Sequence, residues 1–118
     1  MGLDVATIDG VMGVIEILSS RREYTKLNPF VVLLGNGDHE VTSSWTGPNG
    51  YERPTTLVIT RNNISFVGNG VDTTTVLGEF GIFNIENIRS IQYITVQRND
   101  CDKYKWLWLW YTYEECKS

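Results

Sequence analysis

His39 is the only histidine of the chain, and in "GNGDHEV" it stands between Asp38 and Glu40. A metal site or a general base is the first chemistry such a trio suggests. In a strand, neighbouring side chains point to opposite faces, so the three cannot converge on one ion without a special turn. A zinc site draws three or four ligands from His, Cys and carboxylates, and the chain has no such spacing. A nucleophilic triad would have to use His39, and no serine sits in a nucleophile elbow. His39 therefore reads as part of a solvated turn. The two Gly-Asn-Gly stretches, at 35–37 and 68–70, look like fragments of phosphate loops. Neither continues into a P-loop Lys-Ser/Thr or a dinucleotide fingerprint, so both read as turns. Among the carboxylates, Glu79 in "LGEFGIF" alone stands inside an apolar run, and a glycosidase pair has no support. The expectation is a protein that is not an enzyme and takes no metal or cofactor.

Two groups could instead bind something. Arg53 lies near Tyr51 and Trp45 in the loop region 42–54. An arginine with aromatic neighbours can clamp a base or a phosphate by stacking and paired hydrogen bonds. The bland alternative is a surface loop with a tucked tryptophan. The second group is "KYKWLWLWYTYEE", residues 103–115. As one strand it puts Tyr104, Trp106, Trp108 and Trp110 on one face. Leu107, Leu109, Tyr111 and Tyr113 fall on the other, with Lys103 and Lys105. A buried aromatic removes about 150–250 Å² from water, so three tryptophans would present about 500 Å² or more. Monomers seldom leave a patch of that size open. The N-terminal helix, a second subunit or a ligand could cover it. The candidate binding residues are thus Trp106, Trp108, Trp110, Trp45 and Arg53. A homo-oligomer, most simply a dimer meeting through the tryptophan face, is the expected assembly.

These residues need a frame. At 118 residues the chain fits one domain, 1–118. Residues 4–20 carry the only good helical pattern, with Asp4 as a cap and Ile8, Val11, Met12, Ile15 and Leu18 on one face. The rest reads as β. "NPFVVLLGNGDHEV" is strand, turn, strand, and "TTLVITRNNISFVGNG" is a hairpin turning at Asn62-Asn63, with Ile59 across from Phe66. A strand near 74–84, a break at Glu86-Asn87 and a strand from Ile88 to Gln97 follow. No internal repeat is expected. The predicted fold is mainly β (α+β): one N-terminal helix and six or seven antiparallel strands in a small barrel or strongly bent sheet.

Charge and composition narrow the partners. The net charge is −4, which argues against binding built on phosphate neutralisation along a nucleic acid. No apolar run approaches the ~20 residues that span a bilayer. The opening "MGLDVAT" lacks the basic stretch of a secretory leader, so a cytoplasmic protein is expected. Cys101 and Cys116 flank the aromatic segment, which as a straight strand would hold them ~50 Å apart at about 3.3 Å per residue. Two free thiols are the corresponding expectation.

A helix followed by strands, with "PFVVLLGNG" early and "FNIENIRSI" late, resembles the Sm-like ring-forming barrels. Glu86-Asn87-Ile88 matches their late acidic-Asn-Ile segment, which closes the barrel and contacts RNA. Asn84-Ile85 stands where that family has a basic-Gly pair, so RNA binding does not carry over. Pleckstrin-like sheets capped by a helix are similar too. In size and composition the chain resembles small anti-defence proteins of phages, some of which block host enzymes while others sequester nucleotide signals. The functional expectation is a small binding or inhibitory module acting through an aromatic surface. Its alternatives are a nucleotide-sequestering protein and an Sm-like RNA ring.

Overall fold

The computed structural model describes residues 8–84, 86–98, 102–108 and 111–114, with the backbone alone at Trp108. A 3₁₀ turn, Ile8–Gly10, leads into one α-helix, α1 (Val11–Ser19). Asp4, expected to cap the helix, lies outside the described residues. Ile8, Val11 and Ile15 are buried, Met12 packs partly against the core, and Leu18 is half-buried, as the helical spacing predicts. Gly13 costs the helix about 1 kcal/mol, while each buried apolar side chain contributes about 1.5–3 kcal/mol. Packing wins.

Eleven strands follow among the described residues: β1 (Phe30–Leu33), β2 (Gly37–Glu40), β3 (Trp45–Thr46), β4 (Glu52–Arg53), β5 (Thr56–Val58), β6 (Ile64–Val67), β7 (Thr74–Leu77), β8 (Glu79–Gly81), β9 (Ile88–Arg98), β10 (Asp102–Trp108) and β11 (Tyr111–Glu114). The fold is mainly β with one short helix, as expected. It is neither a barrel nor all antiparallel. β1 pairs parallel with β6, and β6 with the first half of β9. β2 pairs parallel with β7, and β7 with the second half of β9. β5 pairs parallel with β8. The chain thus winds through three stacked turns: β1–β2–β5, then β6–β7–β8, then β9. The β3–β4 hairpin is an excursion from the first turn. Parallel strands need crossovers rather than tight hairpins, and each winding supplies one.

The expected hairpin at Asn62-Asn63 is therefore a corner between two turns. β5 and β6 do not pair with each other, although Ile59 and Phe66 are both buried. Asn63 takes φ +64°, the positive φ foreseen for a hairpin turn, but uses it to step from one winding to the next. The strand expected near 74–84 is split at Gly78, where a Cβ would lie 2.6 Å from the Thr55 carbonyl oxygen. The strand foreseen from Ile88 to Gln97 is β9, bent at Tyr93, whose φ is +58°.

The two Gly-Asn-Gly stretches occupy one corner of successive turns. Asn69 Nδ2 donates to Asn36 Oδ1 at 3.0 Å, and Thr74 Oγ1 donates to the Gly35 carbonyl at 3.1 Å. They are turns, as read, and they mark a structural repeat that the sequence reading missed. Asn87, matched above to the RNA-contacting segment of the Sm-like barrels, is buried and has a different task. Its Nδ2 donates to Arg61 O and Asn62 Oδ1, joining corners of successive turns.

The core runs through the windings, from Val32, Val41 and Leu57 through Ile64, Phe66 and Val76 to Ile91, Ile94 and Val96. α1 is tied to the first winding. Asp9 accepts from the backbone N–H and hydroxyl of both Thr42 and Ser43, and Glu16 accepts from Thr60 and Arg61. Among the described residues, no helix is long and apolar enough to cross a membrane.

Candidate binding surface

The aromatic segment is not one strand. β10 runs antiparallel to β9 and then turns back, so that β11 pairs with β10 as a hairpin. Lys103 lies opposite Glu114, Tyr104 opposite Tyr113, Lys105 opposite Thr112 and Trp106 opposite Tyr111. Directly opposed residues share a face, so Tyr111 and Tyr113 join Tyr104 and Trp106 instead of pointing away from them. This corrects the face assignment made from a single strand. The error came from the turn, which lies among residues with no Gly, Pro or Asn to announce it.

The shared face is a compact ring cluster. Tyr104 and Tyr113 have centroids 5.0 Å apart, Trp106 and Tyr111 are 4.8 Å apart, and Tyr104 and Tyr111 meet edge-on at 5.3 Å. Such pairs contribute about 0.5–1.5 kcal/mol each beyond the area they bury. The cluster continues the core: Trp106 lies opposite Ile94 and Tyr104 opposite Val96, both buried. Its outer half is open, with Tyr111 48% and Tyr113 50% exposed. The Tyr113 hydroxyl donates to Asp102 Oδ1 at 3.0 Å. Lys103 and Lys105 hold the opposite face, as expected, and Lys105 Nζ meets Glu114 Oε2 at 3.0 Å.

Of the named tryptophans, Trp106 is half-buried against the core. Trp108 lies on β10 opposite Gln92. Trp110 lies outside the described residues, as do Leu109, Cys101 and Cys116. β10 and β11 pair antiparallel, so residues 103–114 are not the single straight strand expected.

Trp45 and Arg53 are cross-strand neighbours in the β3–β4 hairpin, but they do not form one clamp. Trp45 stacks on Phe83 with centroids 5.1 Å apart. Arg53 turns to Glu79, donating from Nε at 2.7 Å and from Nη2 at 3.0 Å. Thr56 Oγ1 donates to the same carboxylate at 3.0 Å, and Arg98 Nε stands 3.5 Å away. Burial alone would push the Glu79 carboxyl up; hydrogen bonds from Arg53 and Thr56, with the two guanidinium charges, outweigh it and hold it below its ordinary value. The same pairing raises Arg53. Glu79 and Arg98, absent from the sequence-based set, complete a cleft with Tyr51, Glu52 and Thr55. Glu79 was visible as the carboxylate inside an apolar run; Arg98 carried no signal, since only the winding brings it there.

His39 donates to or accepts nothing from Asp38 or Glu40 in this arrangement; its Nε2 lies 2.9 Å from the Gly35 carbonyl. Among the described residues no group of three His, Cys, Asp or Glu side chains is placed to hold a metal ion. No family model, no curated protein and no solved structure matches the chain.

Proposed function

We propose that the protein is a small non-enzymatic binding or inhibitory module that works through the aromatic face of the β10–β11 hairpin and assembles as a homo-oligomer, most simply a dimer. One observation carries this reading. A cluster of four rings grows out of the core and ends, half exposed, beside β11, the last strand of its sheet among the described residues. The half-exposed rings beside this strand offer apolar area, which favours a second protein surface. The opposite face, with Lys103, Lys105 and Glu114, stays in water. A closed two-fold pairing buries the rings of both copies at once.

Solution mass by sedimentation or light scattering at micromolar concentration tests it. The native chain should run at twice its monomer mass, and the Tyr111→Ser/Tyr113→Ser double variant should run as a folded monomer. A native monomer, or a double variant that keeps the native mass while folded, defeats the reading.

A further inference from the structure

We propose that Asn49, at the tip of the β3–β4 hairpin, is a site of spontaneous covalent modification, converting through a succinimide to aspartate and isoaspartate. The chain has three Asn-Gly pairs, Asn36-Gly37, Asn49-Gly50 and Asn69-Gly70. A glycine after asparagine leaves the backbone nitrogen unshielded by a Cβ, so the sequence makes all three candidates. The fold separates them.

The reaction needs the side-chain amide carbon and the next backbone nitrogen to meet. The Gly50 nitrogen attacks Asn49 Cγ, a new C–N bond closes a five-membered ring, and the side-chain nitrogen leaves as ammonia with the Gly50 N–H proton. Water then opens the ring at either carbonyl. One opening gives aspartate; the other gives isoaspartate, in which the main chain runs through the side-chain carbons. Both products carry a carboxylate where a neutral amide stood.

At Asn36 and Asn69 the reacting groups are held. The two side chains bond each other at 3.0 Å. Gly37 N–H donates to the Thr73 carbonyl at 2.7 Å, and Gly70 N–H donates to the Tyr93 carbonyl at 3.0 Å. Each bond joins one winding to the next, so freeing either nitrogen means parting the stack. Openings of that kind lie toward the costly end for a fold.

Asn49 is not restrained in this way. Pro48, Asn49 and Gly50 are exposed, and the Asn49 side chain makes no hydrogen bond among the described residues. Gly47 N–H donates to the Tyr51 carbonyl and Gly50 N–H to the Gly47 carbonyl at 3.1 Å, closing a three-residue loop with Gly50 at φ +77°. The second bond holds the attacking nitrogen, but only within one turn. That turn ends a two-stranded ribbon of two residue pairs, Trp45 with Arg53 and Thr46 with Glu52. Trp45 on Phe83 and Arg53 on Glu79 anchor the base of the hairpin. So short a ribbon is marginal by itself, and its tip opens without disturbing the windings.

A time course of the folded full chain at mildly alkaline pH, beside the same chain in guanidinium, tests this. Tandem mass spectrometry of its peptides reads each site through a gain of about 1 Da. In guanidinium the three sites should convert at rates within a few-fold of one another, since glycine follows each. In the folded chain Asn49 should convert at least about tenfold faster than Asn36 or Asn69. Isoelectric focusing should show a species one charge more negative than the native −4. Asn49→Gln, an exposed change whose longer side chain closes a ring far more slowly, should suppress that species. Asn36 or Asn69 converting as fast as Asn49 in the folded chain overturns the proposal. So does Asn49 left intact there once the unfolded chain has fully reacted, or an acidic species that forms at the native rate in Asn49→Gln.

Discussion

Asn69 Nδ2 donates to Asn36 Oδ1 at 3.0 Å, stacking the second Gly-Asn-Gly corner on the first. Around that contact the chain passes with little clearance. A Cβ on Gly68 would lie 2.5 Å from the Tyr93 carbonyl oxygen, 2.8 Å from Ile94 Cγ1 and 2.9 Å from Thr74 Cβ. Gly70 N–H donates to the same Tyr93 carbonyl, so that backbone cannot simply retreat.

Gly68→Ala should therefore lower stability by about 1–3 kcal/mol, the usual cost of overpacking a close-packed site. Gly13→Ala, where nothing lies within 4 Å of the added carbon, should stabilise α1 by about 1 kcal/mol. Chemical denaturation of the two variants side by side checks both signs.

Acid should loosen the tie between α1 and the first winding. Burial alone would raise the Asp9 carboxyl, but hydrogen bonds from Ser43 and Thr42 prevail and hold it below its ordinary value of 3.8. Glu79 is likewise held below 4.5. A carboxyl lowered in the folded state contributes stability that is present above its unfolded value and lost as pH falls through the folded one. Unfolding free energy should thus hold from neutral pH to about 4.5 and decline below it. Asp9→Asn should lower stability at pH 7 and flatten the decline, which denaturation at stepped pH would show.

Much of this was legible in the chain before its fold was known. The helix register, the β character of the rest, the break at Glu86-Asn87 and the lysine-bearing face of β10 all follow from local pattern. The winding does not. Gly-Asn-Gly and Asn-Asn permit the same positive φ whether the chain folds back as a hairpin or turns a corner to stack in parallel. "FVVLLGNG" and "ISFVGNG" are similar enough to have suggested stacked repeats, and the four residues 71–74 hid the correspondence by lengthening the second corner. Arg53 was recognised as a binding candidate, while its partners Glu79 and Arg98 come from 26 and 45 residues downstream, beyond the reach of local pattern.

Trp106 and Tyr111 touch each other but should divide the work of the hairpin. Trp106 is half-buried and packs on the core opposite Ile94, so its truncation opens a void. Full burial of such a ring makes removal cost about 3–5 kcal/mol, and half-burial brings the expected loss for Trp106→Ala to about 1–3 kcal/mol. Tyr111 is 48% exposed and lies on the outer strand, where a change to serine removes apolar area without opening the core. Tyr111→Ser should cost less than about 1 kcal/mol in the monomer. Its effect should appear instead in concentration dependence: the native midpoint of thermal unfolding rises with protein concentration when dimers form, and the variant's should rise less. Equal losses of stability from both substitutions, with no concentration dependence in the native chain, would mean that the rings serve the fold alone.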